Sequence, residues 1–347
     1  MMKNNVFAGV LLLGGIALWG WSCQLGNDKD QPPTPDVSGI QVKARIERFD
    51  RDLFQLDTAN FLPGVKVLSE KYPAFLTFFT TQVAHDITNR EEKPEEALYG
   101  FVTAPQVRRL YDTCQVVLGD LQPFQKDLTQ MLKYYKHYYP DRPEPVTVAA
   151  VTEFIGDAYM VNDTLMLLGV DMFLGPGFSG YNPELFPAYI SRQFKPENMV
   201  LKYAFTLANN AVPPVAADRI LDHIVRNGKV LYVLDCLLPQ VADSTKINYT
   251  ADQWAGSLAN EQEVWSRLLD MKVLYEPLGS RNMKIVTESP STDNVFQEAP
   301  GQIGNFIGWQ IVKSYMKRFP DTSFRQLGEL RDAQQFMEKA KYKPRKR

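Results

Sequence analysis

The twenty-one residues from Ala299 to Phe319, APGQIGNFIGWQIVKSYMKRF, constrain the fold of this chain more than any other stretch. Ile303, Ile307, Ile311 and Tyr315 recur at every fourth position and share one face of a helix, while Phe306, Trp309 and Val312 widen the apolar surface. Such a helix must be buried. Gly304 and Gly308 stand one turn apart in its interior, where each costs about 1 kcal/mol relative to alanine. The expected compensation is a second element packed closely against the bare backbone. Between Gly301 and Phe319 there is no histidine, cysteine or acid, so the segment reads as scaffold.

The N-terminus reads as an address. Lys3 precedes an uncharged run from Val6 to Trp21, and Ser22-Cys23 follows at once. Residues 1–22 are expected to be a lipoprotein signal peptide whose removal leaves Cys23 first in the mature chain and acylated. An uncleaved N-terminal anchor is the alternative. Either way the body is expected to face the periplasm, tethered to a membrane in the cell envelope. Residues 23–39 contain QLGNDKDQPPTPDVSG, polar and proline-bearing, and are expected to form a flexible linker that buries nothing. Residues 40–347 then form one domain. With Cys23 acylated, only Cys114 and Cys236 remain, and the sequence leaves open whether they pair.

Within the domain, alternation at Ile40, Val42, Ala44 and Ile46 predicts a strand. Helical periodicity follows over about 59–71, 74–85, 105–117 and 123–139, with a charged loop at 90–96. Two strand-like runs, 146–154 and 158–171, carry a polar turn at Asn162-Asp163. Residues 169–181, GVDMFLGPGFSGY, form a glycine-rich aromatic loop of the kind that often lines sites. Beyond it the chain is helical almost throughout: 183–193, 196–209, 218–234 and 251–273, the last opened by a capping box of Thr250 and Gln253. Early strands and late helices predict an α+β fold, a small sheet from the N-terminal half packed with a mostly helical C-terminal half.

The formal net charge of −2 offers no basic field for nucleic acid. Six of the 38 basic residues lie in the last nine positions, leaving 32 against 40 acids elsewhere. That basic tail is expected to be solvated, with contact to anionic headgroups as the alternative. The three histidines, His85, His137 and His223, are far apart and no HExxH, GxSxG or P-loop pattern is present. No catalytic residue, metal ligand or cofactor is assigned. The candidate cleft comprises Asp171 and Tyr181 from the glycine loop, Asp222, His223, Asn227 and Lys229 from LDHIVRNGKVLY, Glu261 and Trp265 from NEQEVW, and Trp309. Glu261 lies one helical turn before Trp265, where an acid beside an indole could titrate high. Two competing readings are a hydrolase site made in space from Asp222, His223, Glu261 and the Gly169 loop, and a solute or glycan binder using Trp254, Trp265 and Trp309.

Several stretches together, RIERFDRDLF (45–54), LLGVDMFLG (167–175), ILDHIVRNGKVLYVLDCLLP (220–239), NEQEVW (260–265) and the run from Ala299 through KYKPRKR, resemble the gliding-motility lipoprotein GldB family of Bacteroidota. The resemblance implies a non-catalytic envelope lipoprotein whose partners are envelope proteins of a motility or secretion apparatus. More distantly, the order of L-D-x-I-x-x-x-G-K, a tryptophan-bearing helix and P-G-x-I-G is similar to predicted zinc peptidases. In those, HExxH precedes a Glu-Gly pair that supplies a third ligand. Here Asn227 precedes Gly228, and the helix near 199–209 has no histidine and no acid. This likeness implies a zincin-like frame without its metal, a pseudoenzyme.

Overall fold

A computed structural model describes residues 31–85 and 93–345. The signal run, Cys23 and residues 24–30 lie outside it. The N-terminal half starts with β1 (Ile46–Glu47), α1 (Phe49–Phe54), α2 (Phe61–Lys71) and α3 (Pro73–Phe79), which runs on through one π-helical turn at Thr80–Ala84. Then come α4 (Pro94–Thr103), α5 (Pro105–Leu118) and α6 (Gln122–Tyr138). Helices α3 to α6 each carry a proline in the first turn, where its missing N–H leaves no gap in the hydrogen bonding. Phe49 of α1 is fully buried, with Tyr72, Phe75 and Phe79 around it at ring separations of 5.2, 4.9 and 4.9 Å. The motif RIERFDRDLF holds this layer together. Arg48 makes a two-pronged ion pair with Asp50 (2.8 and 2.7 Å), and both Arg48 and Arg51 donate to the carbonyl of Gly119, at the end of α5.

The sheet is small and mixed, in the order β1-β2-β4-β3. β2 (Val146–Ala150) runs parallel to β1 and to β4 (Leu165–Gly169), and β3 (Ala158–Asn162) pairs antiparallel with β4. The hairpin turns where the sequence placed it, with the Asn162 side chain accepting from the amide of Thr164 at 2.9 Å. The first strand is shorter than the alternation at 40–46 predicts. Only Ile46 and Glu47 find ladder partners, because β1 meets β2 over two residues alone.

The C-terminal half contains α7 (Ala188–Ser191), α8 (Met199–Ala211), α9 (Ile220–Leu237), α10 (Asp243–Lys246), α11 (Ala251–Ala259), α12 (Glu261–Asp270), α13 (Ile303–Arg318), α14 (Phe324–Glu329) and α15 (Ala333–Ala340). The architecture is α+β. α9 and α13 form its central pair. They approach so closely that a methyl group built on Gly228 would lie 2.2 Å from the carbonyl carbon of Gly308, and one on Gly308 would lie 1.9 Å from the carbonyl oxygen of Ile224. Gly304 is equally enclosed, 2.6 Å from an Ile285 methyl. The helix expected over 251–273 is two helices that meet at Asn260, whose side chain donates to the carbonyl of Gly256. Residues 183–193 are helical only at Ala188–Ser191, and the loop expected at 90–96 gives way at Pro94 to α4.

Both ends of the described chain lie on the body. Val37 is buried in the core and Gln31 donates to Asp243, so the end of the stretch read as a linker does not hang free. At the start of the basic tail Lys339, Lys341 and Lys343 are exposed, but the aromatic residue between them is tied down. Tyr342 packs edge-on against Trp265 at 5.5 Å and donates to Glu261 at 2.8 Å.

Candidate functional site

A cleft of about 360 Å3 opens between α8 and α9. On α8 the spacing of four brings Leu201, Phe205 and Asn209 to its wall, and α9 contributes Asn227 and Val230. The loop before α13 and the first turns of α13 close the far side with Val286, Gln302 and Asn305. Phe205 stands at the surface, 42% exposed.

The polar part of this cleft is built mainly from carboxamides that hold one another. Asn227 donates to Asn305 Oδ1 (3.0 Å) and to the carbonyl of Val286 (3.3 Å). Asn305 donates to the same carbonyl (3.1 Å) and to Gln302 Oε1 (3.0 Å), and Gln302 donates to the carbonyl of Ile247 (2.8 Å). The chain fixes the start of α13 with Gln302 in a left-handed conformation, φ 53°. These amides are engaged with one another and with backbone carbonyls, which makes the wall rigid and leaves mainly the apolar surface of Leu201, Phe205 and Val230 for an occupant.

Behind the cleft lies a buried ionic cluster. Lys246, which also lines the cleft, is 2.8 Å from Asp235 Oδ1 and 3.3 Å from Asp243. Lys313 is 3.3 Å from Asp235 and 3.2 Å from Asp243, and its ammonium sits 4.2 Å from the centre of the Trp309 ring. Trp309 Nε1 donates to Asp235 at 2.8 Å. Two acids and two lysines balance in charge. Burial acts to lower the Lys246 pKa, but Asp235 and Asp243 outweigh it and hold the group above the ordinary lysine value. Burial likewise acts to raise Asp243, and Lys313 and Lys246 overcome it and hold the acid below its ordinary value. Asp235 and Lys313 were not singled out in the sequence. The available signal was a lone acid inside the apolar run VLYVLDCLL and a lone lysine inside IVKSY.

The residues expected to share one cleft are dispersed. Only Asn227 lines the α8–α9 cleft. Trp309 is fully buried behind it, bonded to Asp235. Asp222 is the third residue of α9 and makes a two-pronged pair with Arg219, and His223 Nε2 lies 2.7 Å from Asp218. Lys229 is buried under α15, donating to the Leu330 carbonyl at 2.5 Å with its ammonium 4.7 Å from the Phe336 ring centre. Burial pushes its pKa down to about 8. Asp171 accepts from the amides of Thr152 (2.8 Å) and Phe154 (2.7 Å); burial, only partly offset by these bonds, pushes its pKa up to about 6. Tyr181 donates to the Asp171 carbonyl (2.8 Å) and sits among Phe154, Phe178 and Phe194. The glycine loop is thus a packed knot and lines neither large cavity.

Glu261 lines a different cavity, under the C-terminal tail, and Trp265 packs edge-on against Tyr342 of that tail. Glu261 opens α12 and its partners are Tyr342 and Arg345, not the indole. The grouping of Asp222, His223, Glu261 and the Gly169 loop is therefore not assembled. Nor do the tryptophans of the binder reading form one surface: Trp254 packs on Phe306 and Trp309, and Trp265 on Tyr342. Cys114 and Cys236 are unpaired and buried, and burial raises both thiols.

Among the described residues no group of three or more His, Cys, Asp and Glu side chains is placed to hold a metal ion. Among the same residues no helix is long and apolar enough to cross a membrane. Searches of curated proteins and of solved structures returned no match. The model of the family described as gliding motility protein GldB matches residues 30–344, which takes in the sheet, the α9–α13 pair, the α8–α9 cleft and all of the second cavity's lining except Arg345. The chain belongs to the GldB family of gliding-motility lipoproteins.

Proposed function

We propose that this protein is a lipid-anchored, non-catalytic component of the cell envelope that supports gliding motility or the linked protein-secretion machinery, and that the α8–α9 cleft is where it engages an envelope partner. The anchor is Cys23, acylated after removal of residues 1–22, and the body faces the periplasm. The observation that carries the non-catalytic reading is the Asn227–Asn305–Gln302 chain. At the position where the resemblance to zinc peptidases implies a glutamate ligand, a carboxamide instead bridges two walls of the cleft. A carboxamide neither exchanges a proton near neutral pH nor competes with imidazole or carboxylate for zinc. The facing residues of α8 one turn apart, Phe205 and Asn209, are likewise not metal donors of that class. A zincin-like frame retained for binding accounts for both.

The decisive experiment deletes the gene in its host and scores surface spreading together with the secreted proteome. At least one should fail, with rescue by the wild-type gene. Unimpaired spreading and secretion together would overturn the proposal. Metal analysis of the purified protein separates the hydrolase alternative, which requires stoichiometric zinc that is lost in His223→Ala. Intact-mass measurement of the mature chain tests the acylation at Cys23.

A further inference from the structure

The turn that leaves β2 is held in a backbone conformation that its residues do not favour. Glu153 (φ 52°) and Phe154 (φ 67°) are the only adjacent non-glycine residues at positive φ among those described. They are the central pair of a turn closed by the Ile155 amide, which donates to the Thr152 carbonyl at 3.3 Å, and asparagine and glycine are the usual residues at such positions. Something must hold the chain there. The Phe154 ring packs among Phe178, Tyr181 and Phe186 at 6.3, 5.4 and 6.4 Å. The Asp171 carboxylate accepts from the amides of Thr152 and Phe154 and from the Thr152 hydroxyl (3.2 and 3.3 Å), so the bonds that fix the turn converge on one acid. The seat is tight, since a methyl group built on Gly169 would lie 2.0 Å from the Gly156 carbonyl oxygen.

Asp171 is fully buried. The titratable groups around it are Cys114 on α5, Tyr181 in the glycine loop and Glu153 in the turn itself, and none is a cation. β2 brings no ionisable residue, and beyond Cys114 the Arg48–Asp50 pair is matched within itself. The buried charge therefore has donors but no counter-charge, and its pKa rises to about 6. Opening the turn to water returns the group towards its ordinary value of 3.8, so protons bind the closed turn more tightly than the open one. Acid favours closure, and rising pH favours opening. We propose that Asp171 and the Thr152–Ile155 turn form a pH-gated latch on the aromatic knot, closed in acid and loosened towards neutral pH, where backbone strain and buried charge act together to free Phe154 from the rings beneath it. Ile155 and Leu185, the chain neighbours of Phe154 and Phe186, are already exposed, so the opened latch presents a larger apolar surface.

Hydrogen exchange of the full-length protein at pH 4.5 and pH 7.5, read by mass spectrometry on peptides spanning 151–157, tests the latch, with protection taken relative to the intrinsic exchange rate at each pH. Protection of the turn should fall by about tenfold or more at the higher pH, since two units between the closed and open forms allow up to about 100-fold. At pH 7.5 the turn should also be at least about tenfold less protected than α13, the mark of local opening. Equal protection of the two would mean that the turn opens only with the whole fold, and overturns the inference. Asp171→Asn keeps an acceptor for the two amides and cannot ionise, so its protection should change by less than about threefold between the two pH values. Glu153→Gln should keep the wild-type change, and it decides the matter should Asp171→Asn fail to fold. A wild-type change below about threefold overturns the inference. So does a change that survives in Asp171→Asn, or one that disappears in Glu153→Gln and so belongs to the turn's own acid.

Discussion

Gly228 of α9 and Gly308 of α13 meet backbone to backbone, with no room for a β-carbon on either. Their helices are the longest adjoining pair in the C-terminal half, and Trp309, the residue after the contact, carries the hydrogen bond to Asp235. The crossing therefore fixes both the buried ionic cluster and the wall of the cleft.

Gly308→Ala should destabilise the fold by about 1–3 kcal/mol despite the better helix propensity of alanine, because the two backbones must move apart. Gly256→Ala, in the middle of α11 with open space around the site, should instead gain about 0.5–1 kcal/mol. Equilibrium urea unfolding of both variants checks the opposite signs.

Asp235→Ala removes the partner of Lys246, of Lys313 and of the Trp309 indole together. Two ammonium groups then remain buried with Asp243 alone, and a loss of about 3–5 kcal/mol is expected. A milder loss for Asp235→Ala than for Gly308→Ala would show that the cluster is a minor contributor.

Lys229 gives a pH signature. Its folded pKa of about 8 lies below its ordinary 10.5, so between those values the unfolded chain binds more protons and stability rises with pH. The slope from this one group is at most about 1.4 kcal/mol per pH unit. Lys229→Met keeps the packing on Phe336 and should flatten the rise across that window, read by unfolding at pH 7.5 and pH 10.

Phe205→Glu places a charge at the mouth of the α8–α9 cleft on an already exposed position. The melting temperature should change by no more than about 2 °C, while surface spreading or secretion in the complemented deletion strain should fall towards that of the deletion itself. Full rescue by this variant would place the partner surface elsewhere.

Helix α13 was legible in the sequence because its periodicity and its two glycines state the same requirement, burial with close contact. The α5 and α6 spans and the Asn162 hairpin were legible for similar local reasons. The cleft was not. Its residues come from α8, α9 and the loop before α13, and only packing brings Phe205, Asn227 and Asn305 together. Glu261 and Trp265 are neighbours on one helix turn, and that spacing suggested a pairing which the distant Tyr342 takes over. Asp171 and Tyr181 looked like site residues because polar groups in a glycine-rich loop often are, whereas here they tie the loop to itself and to the strand end at Thr152.

The bond from Gln31 to Asp243 has a mechanical meaning. Chain entering from the N-terminal side is fastened at a carboxylate already clamped between Lys246 and Lys313, so tension along it meets α10 and α13 before it meets β1, which follows fifteen residues later in the chain.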